Sequence, residues 1–287
     1  MKNHAKIAGA VFGLSLLLIP ISNFADSANL NPTVINEKSL SGGDTMILDL
    51  KTHPFLTRLY IQEERVDIFT VGKKIRAVYP VKPNTVGIIS IDLLTLPKKH
   101  FSLAVTAQKL ISQTIVFPVP KHINKTPNEV AENLTKQNAS VASITERGLP
   151  YSVFTSNFDL PLRGAIKISS PYGEIRKTGN QMIRHAGVDF VENFGAYVYA
   201  INDGLVLSAH EDPIYGKTVI LDHGAGITSL YMHLNEFSVI ANQKLSKGEI
   251  LGTVGMSGLA NAPHLHLSIK IKSQSVNPLS FIRDFKL

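Results

Sequence analysis

Histidines in the C-terminal half of the chain are the side chains best suited to chemistry. Six of the ten histidines lie there, and they are His185, His210, His223, His233, His264 and His266. Imidazole binds metal ions and exchanges protons near neutral pH, so such a group can serve a metal centre, acid–base catalysis or both. The spacing within short motifs indicates which use applies.

The segment Pro263-His264-Leu265-His266 predicts a strand with two imidazoles on one face. Successive side chains of a strand alternate between faces, so His264 and His266 point the same way while Leu265 points the other way. One imidazole can then bind a metal ion while the other reaches the open coordination position. Two surface histidines would have the same spacing, so this motif alone is not decisive.

A second motif, His185-Ala186-Gly187-Val188-Asp189, offers an imidazole and a carboxylate. If this stretch is extended, its first and fifth residues share a face, and both groups suit zinc. With His266 they make three protein ligands, the number typical of a catalytic zinc that keeps a fourth position for water. The sequence therefore predicts one zinc ion held by His185, Asp189 and His266.

Two further imidazoles, those of His233 and His264, remain for catalysis. Bound zinc lowers the pKa of a water to about 7 and polarises a substrate carbonyl. His233 and His264 can then act as general base and as stabiliser of the developing oxyanion. The helical His-Glu-x-x-His zinc motif is absent, because His210-Glu211 has no second histidine in place.

Further motifs accompany these residues in order between about Ile168 and Pro278. They are Ser169-Ser170-Pro171-Tyr172-Gly173 with Arg176, Val198-Tyr199-Ala200, Asp203-Gly204, Asp222-His223-Gly224, Tyr231-Met232-His233-Leu234, Lys247-Gly248 and Ser257-Gly258. Over about 110 of the 287 residues, this half resembles the lysostaphin-like (LytM-type) zinc metallopeptidases of bacterial cell walls.

The resemblance implies one zinc ion bound by His185, Asp189 and His266, with His233 and His264 serving catalysis. Enzymes of this family hydrolyse peptide cross-links of peptidoglycan. The N-terminal region and connector resemble the accessory domain of Gram-negative relatives, which in several of them covers the catalytic groove. A regulatory protein that relieves this occlusion is therefore expected as a partner, besides the peptidoglycan peptide.

The sequence departs from the family pattern at a few positions. Asn261-Ala262 replaces the usual Thr-Gly, Leu267 and Ser268 replace an aromatic residue and Glu, and Tyr172 replaces Phe. None of these changes removes a ligand. They bear on the shape of the groove and on substrate preference.

Three more residues are candidates for substrate binding. Arg176 and Tyr231 could position the substrate or could simply pack. His223, in a predicted strand end and turn, is either structural or lines the groove.

Composition limits the alternatives. The chain is 44% hydrophobic, carries a formal net charge of +7 and contains no cysteine, which excludes disulfides, thiolate zinc sites and a cysteine nucleophile. The positive charge suits an anionic partner or simple solubility. A nucleic-acid partner is not expected, because the lysines are scattered and the chain begins with a secretion leader.

Residues 1–28 predict a signal peptide. Lys2 and Lys6 precede an almost entirely apolar run from Ile7 to Ile21, and small residues follow it. The run is shorter than the ~20 residues that span a bilayer comfortably, although an uncleaved anchor is the alternative. We therefore expect export, with the periplasm as the destination, and no transmembrane segment in the mature chain.

The fold class predicted for the remainder is mainly β. Short strand-like runs over residues 29–120 predict a small N-terminal β accessory domain, a sandwich or barrel-like module. Residues 121–159 are predicted to form a helical connector, in which Thr126, Pro127 and Glu129 are typical of a helix start. Residues 160–287 are predicted to form a lysostaphin-like β-sheet or sandwich peptidase domain.

These observations predict a secreted zinc-dependent peptidoglycan endopeptidase. If the organism is Gram-negative, D-Ala–diaminopimelate bonds are the expected target, and glycine bridges are the rival. A catalytically inactive wall-binding regulator of other hydrolases is the alternative function. The N-terminal β module and the connector could also keep the full chain latent.

Overall fold

The predicted connector helix is confirmed and starts at its predicted cap. Helix α1 spans Pro127–Thr145, and Thr126 is its N-cap. The Thr126 hydroxyl accepts a hydrogen bond from the backbone of Glu129, whose carboxylate accepts one from the backbone N–H of Thr126. This reciprocal capping box satisfies two amides that a helix start otherwise leaves unpaired.

The computed structural model describes residues 33–37, 40–50, 56–72, 74–95 and 100–287. The predicted signal peptide lies outside the described residues. The N-terminal strands are β1 (Thr33–Val34), β2 (Thr45–Leu50), β3 (Leu56–Ile61), β4 (Glu64–Val66), β5 (Ile68–Val71), β6 (Lys74–Pro80), β7 (Gly87–Thr95) and β8 (His100–Ala107). They form two four-stranded sheets, in the orders β1-β2-β6-β5 and β4-β3-β7-β8.

The two N-terminal sheets share one hydrophobic core. Met46 and Leu48 of β2 face this core, while Ile47 between them faces the C-terminal half, so the first sheet is buried on both sides. The chain changes sheets at Asp67, between β4 and β5.

The C-terminal half is built on a ten-stranded antiparallel sheet, whose main path is β10-β13-β20-β17-β16-β15-β18, with β14, β19 and β21 at its margins. Its strands are β10 (Lys167–Ser170), β13 (Val188–Val191), β14 (Tyr197–Tyr199), β15 (Gly204–Asp212), β16 (Gly216–Gly224), β17 (Ile227–Phe237), β18 (Lys244–Leu245), β19 (Ile250–Val254), β20 (His264–Ile271) and β21 (Gln274–Val276). A short helix that the sequence analysis did not predict, α2 (Pro278–Asp284), follows.

A separate three-stranded sheet joins the two halves. It contains β9 (Thr114–Val116), β11 (Ile175–Thr178) and β12 (Gln181–Arg184), in the order β12-β11-β9. Strand β9 follows the N-terminal sheets in sequence yet pairs in parallel with β11 of the C-terminal half. Residues 31–287 form one compact unit, and the predicted domain limits at 120 and 160 stay predictions.

Helix α1 packs on one face of the long strand β17. Val141 belongs to one buried cluster with Leu230 and Met232, whereas Tyr231 between them faces the main core. In the part of the chain that the structure describes, neither helix has the length and apolar character needed to cross a membrane.

Candidate metal centre and active site

The register of the sheet brings Asp189 and His266 together. Asp189 in β13 lies directly opposite His266 in β20, and both side chains are buried. Directly opposite residues of antiparallel strands have their Cβ atoms about 5 Å apart, within reach of a shared ligand. The Asp189 Oδ1 atom is 2.7 Å from Nδ1 of His266. As predicted, His266 and His264 point to the same face of β20.

His185 reaches the same point from a loop. It lies between β12 and β13, so the motif from His185 to Asp189 is not one continuous strand. Its Nδ1 is 2.9 Å from the carbonyl oxygen of Pro171, which can only accept, so Nδ1 carries the hydrogen. Its Nε2 therefore presents a lone pair, 3.1 Å from Oδ1 of Asp189 and 3.0 Å from Nδ1 of His266.

The three side chains fit a metal ion. Ligand atoms of His185, Asp189 and His266 all lie within 4.8 Å of one another. The Nε2 lone pair of His185 faces a carboxylate oxygen, an arrangement that is repulsive without a cation between the two acceptors. The glycine at position 187 also leaves room for the His266 ring, because a Cβ on Gly187 would lie 2.4 Å from Nε2 of His266. Two imidazoles and one carboxylate are ligands that zinc favours.

Arg176 orients the carboxylate of this group. Its guanidinium donates to Oδ2 of Asp189 at 2.6 Å, to the Ser170 hydroxyl at 2.7 Å and to Glu174 at 3.3 Å. Burial alone would raise the pKa of Asp189, but the adjacent His185 and His266 rings lower it well below its usual value. Arg176 was predicted only to position substrate or to pack, and its contact with Asp189 was not predicted.

His233 enters the site because β17 contains a bulge. Lys217 pairs with Leu234 but Val219 pairs with Tyr231, which leaves one extra residue in β17. His233 lies in this interval with a φ of 61°, a conformation uncommon for residues other than glycine. Spacing along the sequence does not reveal such a bulge.

The imidazole of His233 lies in one cluster with His264, its predicted catalytic partner, and with His266. Its ring centroid is 4.8 Å from that of His264 and 6.2 Å from that of His266. Its Nδ1 lies 2.8 Å from the carbonyl of Ser257, which leaves Nε2 as an acceptor. Burial, followed by the nearby rings of His264 and His266, lowers the pKa of His233 to about 3. The ring is therefore neutral at physiological pH.

His264 is the most accessible of the four histidines. Its side chain is 15% exposed, and its Nε2 lies 3.9 Å from Oδ1 of Asp189. Its Nδ1 is 2.8 Å from the carbonyl of Ala262, so Nε2 presents its lone pair on the Asp189 side. The structure thus brings together all five predicted metal and catalytic residues.

Tyr231 does not line this site, which agrees with packing and not substrate positioning among its two predicted alternatives. The side chain is fully buried in the main core. Its hydroxyl accepts hydrogen bonds from the Ile201 backbone and from Ser229, both at 3.0 Å. The Tyr231 hydroxyl therefore links the backbone of Ile201 to the side chain of Ser229 inside the core.

His223 is also buried away from this site, which agrees with the structural role and not the groove-lining role of its two predicted alternatives. The ring is fully buried, with Nδ1 2.7 Å from the Asp203 carbonyl and Nε2 2.8 Å from the Ser229 hydroxyl. Its edge contacts Phe158, with 5.1 Å between ring centroids. Burial lowers the pKa of His223 to about 4, so the ring is neutral.

A segment of residues 113–123, which we name the strap, runs beside the cluster. Backbone bonds join it to β11, and His122 at its other end lies 3.1 Å from the Gly258 carbonyl. Phe117 of the strap stacks on Arg176, with 4.8 Å from Cζ to the ring centroid. Cavities of about 90 Å³ and about 280 Å³ flank the cluster, and Phe117 lines both. The sequence analysis did not single out Phe117.

Comparisons with known proteins support this description of the C-terminal half. Residues 183–278 match the model of peptidase family M23. The chain is 36% identical over 115 residues to DD-carboxypeptidase/endopeptidase Mpg of Neisseria meningitidis, covering 40% of this chain and 26% of that protein. It is 30% identical over 121 residues to peptidoglycan DD-endopeptidase ShyA of Vibrio cholerae, covering 42% of this chain and 28% of that protein.

A crystal structure of an M23 peptidase from Pseudomonas aeruginosa shares the fold over both halves. The match has a TM-score of 0.62 at 22% identity and covers 87% of this chain and 97% of that one. The two curated relatives are matched over only about a quarter of their length. The family match and the His-Asp-His geometry agree on the same residues. Residues 183–278 of the chain therefore match peptidase family M23 in sequence and contain the His-Asp-His group.

Proposed function

We propose that this protein is a zinc-dependent endopeptidase that hydrolyses peptide bonds of peptidoglycan. The observation that carries the proposal is the convergence of ligand atoms from His185, Asp189 and His266 beside two further imidazoles. Relatives that act on peptidoglycan by name, such as ShyA, support the substrate class. Bonds between D-Ala and diaminopimelate are the proposed target, with glycine bridges as the rival.

In this proposal, His185, Asp189 and His266 hold one zinc ion. When bound, the ion supplies a Lewis acid that polarises a carbonyl and acidifies water. Arg176 keeps the Asp189 carboxylate in place through Oδ2, which leaves Oδ1 turned toward the two histidines.

His233 and His264 serve as the proposed proton carriers. Each ring is fixed by a bond from Nδ1 to a backbone carbonyl, so each offers Nε2 as an acceptor. The neutral state of His233 provides the unprotonated Nε2 that a general base requires. When its Nε2 carries a proton, the more accessible His264 is placed to donate to the substrate oxygen and to stabilise charge that develops there.

We also propose export to the periplasm, from the leader pattern of residues 1–28, and latency of the full chain. The strap supports latency, because Phe117 stacks on Arg176 and lines the cavities on both sides of the cluster. A regulatory protein that displaces the strap is the proposed partner.

Incubation of purified sacculi with the full-length chain, both unaltered and with the strap loosened by Phe117→Ala, followed by mass analysis of the released fragments, tests the proposal. New fragments that disappear with a chelator and with His185→Ala, but persist with His210→Ala, are expected. His210 is the matched control, because it lies in the same sheet outside the cluster and bonds Ser208. A zinc-loaded, folded chain that yields no fragments even after the strap is loosened would favour the inactive-regulator alternative.

A further inference from the structure

The 90 Å³ cavity beside the cluster is lined by positive charge. Arg176, Arg184 and Lys270 contribute to its wall, and no Asp or Glu is among the described residues that line it. Arg176 is already paired with Asp189 and Glu174. Of the other two cations Lys270 is the unusual one, because it is buried and buried charges are normally paired.

Lys270 carries its charge into the cavity from the strand that bears His266. The two residues lie four apart in β20, so they share a face with Ser268 between them. Lys270 is only 8% exposed. Its Nζ bonds neutral oxygens, the Ser275 hydroxyl at 3.0 Å and the Ser273 carbonyl at 3.4 Å. Among the described residues, no carboxylate forms an ion pair with it.

Burial lowers the pKa of Lys270 to about 8. The amine therefore remains mostly protonated at neutral pH, although its charge has no opposite partner. Ser268 does not supply one, because it is neutral and its hydroxyl donates to the Ala186 carbonyl at 2.7 Å.

Arg184 lies at the end of β12 and also lines the cavity. Its guanidinium donates to the Gly173 carbonyl at 3.1 Å and to the Asn84 side chain at 3.4 Å, both neutral acceptors. Leu134 and Val141 of α1 contribute apolar surface to the same wall. A partly apolar enclosure lowers the local dielectric and strengthens the attraction between a cation and an entering anion.

We propose that this cavity is a carboxylate subsite, in which Lys270 and Arg184 bind a free carboxylate of the peptide substrate. The proposal rests on the proposed function and adds a substrate feature to it. Four residues of strand span ~13 Å, a distance that an extended peptide covers with about four residues. The carboxylate therefore belongs about that far from the hydrolysed bond, at the peptide C-terminus or on a side chain.

Titration calorimetry with the zinc-loaded full-length chain tests the subsite. The probes are three N-acetylated tetrapeptides of one sequence: one with free C-terminal and side-chain carboxylates, one amidated at the C-terminus, and one amidated at both positions. We expect the first to bind at least tenfold more tightly than the third. The second probe then assigns the preference to the C-terminus or to the side chain.

Variants at Lys270 distinguish an effect of its charge from an effect on the fold. Lys270→Met should abolish the preference, and Lys270→Arg, which keeps the charge, should retain most of it. Lys272→Met is the matched control, because Lys272 is exposed and pairs with Asp67, and it should leave the preference unchanged. Equal binding of the first and third probes to the unaltered chain, or a preference that survives in a folded Lys270→Met chain, would overturn the subsite.

Mass analysis of the same samples, with and without a chelator, reports separately on the proposed function. Chelator-sensitive hydrolysis without a carboxylate preference would keep the peptidase and remove the subsite. A Lys270-dependent preference without hydrolysis by the chain, even with a loosened strap, would keep the subsite and remove the peptidase.

Discussion

Arg176 donates a 2.6 Å hydrogen bond to Oδ2 of Asp189, while Oδ1 of the same carboxylate contacts His185 and His266. The carboxylate is thus held from one side by a guanidinium and presented on the other side to the proposed metal. A ligand that is oriented in this way loses less freedom when it binds an ion.

The first prediction concerns this contact. Arg176→Gln should weaken zinc binding by about 10–100-fold, the usual effect of removing a group that orients a ligand. Competition with a chromophoric chelator measures the affinity. Arg163→Gln is the control, because Arg163 stacks on Tyr199 and does not contact Asp189. Equal zinc affinity of the Arg176 variant and the unaltered chain would refute the positioning role.

The second prediction separates the catalytic histidines from the ligands. His264→Ala should keep about one zinc per chain yet lower kcat by about 100–10,000-fold, the usual contribution of a positioned proton carrier. Zinc content and turnover are measured on the same preparation. Loss of the metal together with activity would instead identify His264 as a ligand, and normal turnover would exclude its proposed role.

The third prediction concerns latency. Phe117→Ala should raise the rate at which the full chain hydrolyses wall peptides, because it removes the ring that covers Arg176. Val116→Ala changes the neighbouring side chain of the strap, which is 76% exposed, and should leave the rate unchanged. Initial rates on soluble cross-linked peptides provide the comparison. If both variants match the unaltered chain, the ring of Phe117 does not limit access.

The fourth prediction uses His223, which lies away from the site. Its pKa falls from 6.5 in the unfolded chain to about 4 in the folded one. Between these values the unfolded chain binds more protons, so stability is fully present above pH 6.5 and declines as the pH falls toward 4. At about 1.36 kcal/mol per pKa unit, the loss is on the order of 3 kcal/mol.

Denaturant unfolding of the metal-free chain at several pH values checks this decline. His223→Gln keeps polar atoms for Asp203 and Ser229 but cannot titrate, so its free energy of unfolding should depend less steeply on pH. Metal-free samples remove any contribution from ion binding, and the other histidines are common to both chains. Parallel pH profiles of the two proteins would show that His223 does not contribute.

The sequence predicts best where a single local rule decides the structure. Thr126, Pro127 and Glu129 determine the start of α1 through capping chemistry, and strand alternation alone puts His264 and His266 on one face. These features depend on neighbouring residues, so no tertiary contact is needed to infer them.

Other features depend on partners that are distant in sequence. His233 points into the site only because β17 bulges against β16, and His185 reaches Asp189 from a loop rather than a strand. Tyr231 and His223 carry polar groups typical of a groove, yet Ser229 and backbone atoms satisfy both in the core. Spacing along the sequence does not show which polar groups form hydrogen bonds inside the core.

Strand β11 has two neighbours of different kinds. It pairs along one edge with the strap strand β9, and it carries Arg176, which donates a hydrogen bond to Asp189. Any event that separates β9 from β11 therefore acts on the strand whose Arg176 orients Asp189, a ligand of the proposed metal. Thermodynamic linkage makes such coupling reciprocal: whatever factor strap release imposes on metal affinity, metal binding imposes on strap release.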